Sequence, residues 1–92
     1  MIKTFRCKET EKLFDDFPSK RFRPIEQVAR RKLEMLEAAK RLEDLRNPPG
    51  NRLEALKGNR AGQYCIRVND QFRICFKWHS NAAWDVEIVD YH

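Results

Sequence analysis

The sequence predicts an α+β fold in which two helices from the N-terminal half pack on a mainly antiparallel sheet, in the order β-α-α-β-β-β. Two periodicities carry this. Apolar residues between 24 and 45 recur at three and four, whereas after residue 62 they alternate at two in three successive runs. The runs are separated by short turn signals, too short for crossover helices, so the strands form an antiparallel meander with the helices on one face. At 92 residues the chain makes one domain, 1–92, near the lower end of what folds without staples.

M-I-K-T-F-R-C alternates well enough for a short first strand. K-E-T-E-K-L-F-D-D-F reads as a short helix through Leu13, Phe14 and Phe17, stopped by Pro18. The segment S-K-R-F-R is a basic linker. Pro24 suits the first turn of a long helix over 25–45, whose stripe is Ile25, Val28, Ala29, Leu36, Ala39 and Leu42, widened by Leu33, Met35 and Leu45. N-P-P-G at 47–50 ends it. Three strands follow. Tyr64, Ile66 and Val68 share one face, as do Phe72, Ile74, Phe76 and Trp78, then Trp84, Val86 and Ile88, with turns at N-D-Q and H-S-N.

Hydrophobic residues make up 41% of the chain and charged residues 36%, interleaved, so a core is available and a disordered chain is not expected. Apolar runs are too short for a membrane helix or a signal peptide. Cys7, Cys65 and Cys75 are odd in number and lack C-x-x-C spacing, which argues against a metal site or a disulfide framework and for a reducing cytoplasm. The net charge of +5 favours an acidic or polyanionic partner. Between 52 and 77 six bases (Arg52, Lys57, Arg60, Arg67, Arg73, Lys77) face two acids (Glu54, Asp70).

The register of the first hairpin follows from its pattern. For the apolar residues of both strands to share the core face, with a loop of Asn69, Asp70 and Gln71, facing numbers must sum to an even value, 140. Arg67 then falls opposite Arg73, and Cys65 opposite Cys75. Two facing arginines repel. Either the far face of the sheet is simply wet, or the pair waits for an anion that guanidinium forks suit, such as phosphate. The two thiols are expected to stay reduced. L-K-G-N-R-A-G at 56–62 adds Lys57 and Arg60 beside two glycines that permit close backbone approach, without the spacing of a nucleotide-binding P-loop. The final strand ends on D-V-E-I-V-D-Y-H, which alternation places with Asp85, Glu87, Val89 and Tyr91 on the arginine face. A Tyr and a His beside cations could cleave a phosphodiester, the cations stabilising the charged phosphorane. A frayed terminus is the bland alternative.

M-I-K-T-F-R, L-x-x-L-K-G-N-R-x-G-Q-Y, Q-F-R-I-C-F and V-D-Y-H, taken together along the chain, resemble the HigB-type toxins of the RelE superfamily. The resemblance implies a RelE-like microbial RNase fold and a metal-independent endoribonuclease that needs no cofactor and cleaves messenger RNA in the A site of the 70S ribosome. It also implies a HigA-type helix-turn-helix antitoxin as partner. The family's site residues fall on Asp90, Tyr91, His92, Lys57 and Arg73, with Arg60 in the same basic loop. Arg67 comes from the hairpin register alone. His92 would move a proton, Tyr91 position the substrate, Lys57 and Arg73 neutralise the phosphate, and Asp90 orient a neighbour. Many relatives read L-H-P-L-K-G where this chain reads L-E-A-L-K-G, so Glu54 substitutes in part as a base, or His92 carries the proton chemistry alone, or activity is reduced. A non-catalytic RNA- or ribosome-binding module, or an antitoxin-binding protein, are the competing functions.

Overall fold

The computed structural model describes residues 1–90; Tyr91 and His92, two of the candidate site residues, lie outside the described residues. The elements are α1 (Lys8–Phe14), α2 (Glu26–Ala38), β1 (Glu54–Ala55), β2 (Gln63–Arg67), β3 (Phe72–His79) and β4 (Ala82–Asp90), with short 3₁₀ turns between them. The strands form one antiparallel sheet in the order β1-β2-β3-β4. The helices cover one face and bury Leu13, Ala29, Leu33 and Leu36 against Ile66, Ile74, Phe76, Val86 and Ile88. No helix among the described residues is long and apolar enough to cross a membrane.

The first segment departs from a regular strand. Ile2 and Phe5 make isolated parallel bridges to Ala83 and Val86, extending the sheet beyond β4. The reason is a bulge in β4. Cys75 faces Glu87 and Lys77 faces Trp84, so Phe76 alone opposes Asp85 and Val86, with Asp85 at φ 53°. Thr4 Oγ1 accepts the Asp85 N–H at 2.8 Å and so satisfies an amide that the bulge removes from the ladder. The bulge also overturns the expected face of Trp84. Ala83, not Trp84, opposes Trp78 and is fully buried, while Trp84 stacks on His79 at 4.5 Å.

Helix α1 ends before Pro18 comes into play. Asp16 takes a left-handed backbone, its N–H bonds Leu13 O, and Phe17 N–H bonds Lys12 O, the Schellman pattern. The expected helix over 25–45 is also broken. A 3₁₀ turn at Arg23–Ile25 leads into α2, which stops at Ala38, where Ala39 turns extended at ψ 130°. Asp44 then accepts the N–H groups of Lys40 and Arg41 at 3.0 and 3.1 Å, starting a separate 3₁₀ turn over Leu42–Arg46. Local side-chain capping thus competes successfully with helix propagation. The stripe survives the break, because Ala39 and Leu45 are still buried.

Phe76 sits where the bulge, the helices and the sheet meet. It is fully buried, stacked on Tyr64 at 6.3 Å and edge-on to Trp78 at 6.4 Å. Phe76→Ala is expected to cost about 3–5 kcal/mol, because the surrounding aromatics cannot collapse into the space. Denaturant titration measures it as a lowered midpoint, and a loss below about 1 kcal/mol would show that the bulge region repacks.

Candidate functional site

The β2–β3 hairpin has the register its pattern predicts: Tyr64 faces Phe76, Ile66 faces Ile74, Cys65 faces Cys75 and Arg67 faces Arg73. Val68 N–H bonds Phe72 O at 3.0 Å, so the even-numbered residues of β2 occupy hydrogen-bonded pairs. Arg67–Arg73 and Cys65–Cys75 are therefore the narrow pairs, whose side chains approach most closely. Asn69 Oδ1 fixes the loop by accepting the N–H groups of Gln71 and Phe72 at 2.9 and 2.7 Å.

The face carrying these pairs is laid out in rows. One runs from Glu54 on β1 through Cys65 and Cys75 to Glu87 on β4. The next runs from Arg67 through Arg73 to Val89. The 56–62 loop folds over the first row. Leu56 N–H bonds Gln63 O, and the Leu56 side chain seals Cys65 and Cys75 with help from Val89, making a second small core. The far face of the sheet is thus dry under the loop and polar beyond it. Gly58 and Gly62 take φ of 63° and 90°, which an L side chain resists. A Cβ at either would meet no atom within 4 Å, so both glycines serve the turn rather than a close approach.

The loop's two bases have different surroundings. Lys57 is exposed at the start of a 3₁₀ turn over Gly58–Arg60. Arg60 lies back over the sheet, its Nη1 3.0 Å from both Gln63 Oε1 and Glu87 Oε1. Arg60 therefore straps the loop to β2 and β4. Periodicity could not reveal that tie, although parity did place Glu87 on the arginine face.

Arg67 pairs with Asp70 of the loop, and Arg73 Nη1 reaches Asn69 O at 3.5 Å. Asp90, at the end of β4, faces Phe72 and accepts from Gln71 Nε2 at 3.1 Å, so the strand end is tied to the hairpin loop. Its position in the pleat is that of Ile88, one step out of phase with Val89 beside Arg73. Glu54 is exposed, and its Oε1 takes the Cys65 thiol as a donor at 3.7 Å. The described residues thus bring Glu54, Arg67 and Arg73 onto one face beside the Lys57 loop, and bring β4 to its edge. Such a face can hold an anion and offers a carboxylate to accept a proton. No group of three His, Cys, Asp or Glu among the described residues is arranged to hold a metal ion. Two surface depressions, of about 340 and 380 Å³, lie elsewhere, against residues 23–28 and beside Met1 and Ala39.

Burial pushes the Cys65 thiol from its ordinary 9.0 up to about 12, with Cys75 and Glu54 adding to the rise and Arg73 opposing it. Burial likewise raises Cys75, against the pull of Arg60 and Arg73. Both stay protonated at neutral pH and are poor nucleophiles. Because folding disfavours the Cys65 thiolate, this contribution to stability is intact below about pH 9 and is lost as the pH climbs towards 12. At neutral pH a thiol reagent is expected to label the half-exposed Cys7 alone in the native protein, and all three cysteines in denaturant. Rapid native labelling of Cys65 or Cys75 would show that the Leu56 loop opens.

Residues 3–92 match the model of a family described as RelE-like toxin of type II toxin-antitoxin system HigB. Toxin HigB-1 of Vibrio cholerae serotype O1 is 45% identical over 85 residues, covering 90% of each chain. An uncharacterized protein of Haemophilus influenzae is 42% identical over 57 residues, 62% of this chain and 56% of its own. Among solved structures, a YoeB-YefM complex from Staphylococcus aureus superposes with a TM-score of 0.55 at 20% identity, over 100% of this chain and 98% of the matched one, a likeness of fold. The family match spans nearly the whole sequence, and the chain belongs to the HigB-like family of RelE-like toxins of type II toxin–antitoxin systems.

Proposed function

We propose that this toxin is a metal-independent endoribonuclease that cleaves messenger RNA in the ribosomal A site and so stops translation in the cytoplasm. The observation that supports the reading best is the narrow Arg67–Arg73 pair, with exposed Lys57 in the neighbouring loop and the end of β4 tied to the same hairpin. Guanidinium groups gathered on adjacent strands suit a phosphate anion, and the phosphorane formed in phosphodiester cleavage is such an anion. In this reading Arg73, Lys57 and Arg67 hold the scissile phosphate. His92 and Glu54 handle protons, Tyr91 positions the base or ribose, and Asp90 orients a neighbour. Arg60, bound to Glu87, steadies the loop that carries Lys57. A HigA-type helix-turn-helix antitoxin is the partner this reading requires; the S. aureus structure, a complex of YoeB with YefM, is consistent with a toxin of this fold held by a second protein.

The reading is tested with purified toxin and ribosomes programmed with a defined message, in the presence of a chelator. The expected result is cleavage within the A-site codon, removed by adding the antitoxin. Translation arrest with an intact message would overturn it.

A further inference from the structure

Lys77 of β3 faces Trp84 of β4 on one side and Gln63 of β2 on the other. Without the bulge at Asp85 the register would set Trp84 opposite Trp78 and turn both into the core. With it, Trp84 stands on the face that carries Arg67 and Arg73. There it meets His79 diagonally across the strand pair, with ring centroids 4.5 Å apart and ring planes 10° apart. Trp84 Nε1 donates to His79 O at 3.1 Å, so the indole's one donor is satisfied and its ring is held in place. Ser80 and Asn81, at φ 52° and 58°, make the left-handed two-residue turn that sets His79 opposite Ala82. With Trp84 against one face of its ring, the exposed His79 offers the other to solvent. Cations lead to this stack from the hairpin. Arg60 reaches Gln63, which faces Lys77, and Lys77 pairs with Asp85 at 3.4 Å. Both side chains of that pair are about half exposed, so it is weak and open to exchange for another anion.

We infer that the His79–Trp84 stack is a binding subsite for an unpaired RNA base, remote from the scissile phosphate, with Lys77 beside it for the adjoining backbone. Arg73 and His79 lie towards opposite ends of β3 on one face, about 20 Å apart at about 3.3 Å per residue, so the base stacked there is not the one at the cleaved bond. Bases stack on aromatic side chains whatever their sequence, and a pair already assembled loses little freedom in receiving one. RNA is favoured over a protein partner because the stack shares its face with Arg60, Arg67, Arg73 and Lys77, whereas Asp85 and Glu87 there are each matched by a cation. The subsite rests on the nuclease reading above and adds to it a place where RNA is held by a base. That base belongs either to the messenger or to ribosomal RNA, and the chemistry is the same for both.

His79→Ala, His79→Phe and Trp84→Leu test it. Binding of a labelled single-stranded oligoribonucleotide and of programmed ribosomes is followed against salt concentration. His79→Ala should weaken binding by about 5- to 150-fold, the usual worth of one stacked base. The slope of log K against log salt should stay as in the parent protein, because no phosphate contact is lost. In cleavage assays the loss should fall on KM rather than on kcat. Weakening with the free oligonucleotide assigns the base to the messenger path; weakening on ribosomes alone assigns it to ribosomal RNA. Trp84→Leu should weaken binding as His79→Ala does, and His79→Phe, which keeps a ring and brings no charge, should restore it. Since His79 is exposed, His79→Ala should also keep the parent's denaturation midpoint. Unchanged binding and KM in both His79→Ala and Trp84→Leu, or failure of His79→Phe to restore what His79→Ala loses, would overturn the subsite. So would loss of antitoxin binding in His79→Ala with RNA binding intact, which would assign the stack to the protein partner. An inactive parent protein would overturn the nuclease reading instead.

Discussion

Exchange of His92 for Ala is expected to lower messenger cleavage on ribosomes by about 10²–10⁴-fold, the usual worth of a positioned general acid or base. Imidazole is suited to this because its charge changes near neutral pH, so one group can take a proton from the attacking hydroxyl or give one to the leaving oxygen. The described structure supplies the setting. β4 runs in register to Asp90, which faces Phe72 and is held by Gln71, so the described part of the strand ends at the hairpin that carries Arg67 and Arg73. Stability should change little, since among the described residues β4 gives its last side chains to the main core at Ile88 and to the small second core at Val89. Glu54 sharpens the expectation. If the carboxylate serves as base, Glu54→Gln should also lose activity; if it does not, His92→Ala carries the whole proton-transfer loss. Growth arrest on induction gives a second measurement. A non-catalytic RNA- or ribosome-binding module would keep arrest and binding after His92→Ala, and that result would overturn the enzymatic reading.

The hairpin register was legible because three apolar residues on each side of a short loop leave one even sum that buries them all. The Arg67–Arg73 pair came with it, without any knowledge of the helices. The face of Trp84 was not legible. A bulge at Asp85 breaks the alternation there, yet no glycine marks the left-handed position, and the satisfying hydroxyl is Thr4, far away in sequence. The break after Ala38 was hidden for the opposite reason. Ala39 and Leu45 keep helical spacing and are buried as a helix would bury them, while the chain between takes another path around Asp44. The same division holds at the site. Parity along a strand placed Glu87 on the arginine face, but the strap from Arg60 joins a loop to a strand 27 residues away and has no local signature. β1 escaped notice because two residues are too few to show any period, although they decide how much of the β2 edge remains for another element.

Arg73→Gln is expected to lower kcat by about 10²–10³-fold, the range found when one preorganised charge-stabilising donor is removed. Arg73 occupies the central strand position of its row, between Arg67 on β2 and Val89 on β4, and is half-buried. Its Nε is buried away from bulk water, close enough to the two buried thiols for its charge to oppose their rise. Screening is weak there, so a charge acts on a developing phosphorane more strongly than an exposed lysine would. Glutamine keeps polar atoms near the same place and removes the charge; it also relieves the repulsion with Arg67, so lost activity cannot be ascribed to that pair's stability. Arg73→Lys should recover part of the loss, because the charge returns without the planar fork. Reversing the charge would weaken docking and chemistry together and separate nothing. The informative measurement is single-turnover cleavage across message concentrations. Transition-state stabilisation appears in kcat, whereas a grip on distant phosphates appears in KM. Should Arg73→Gln raise KM and leave kcat intact, Arg73 is a docking charge, and the electrostatic work on the scissile phosphate passes to Lys57.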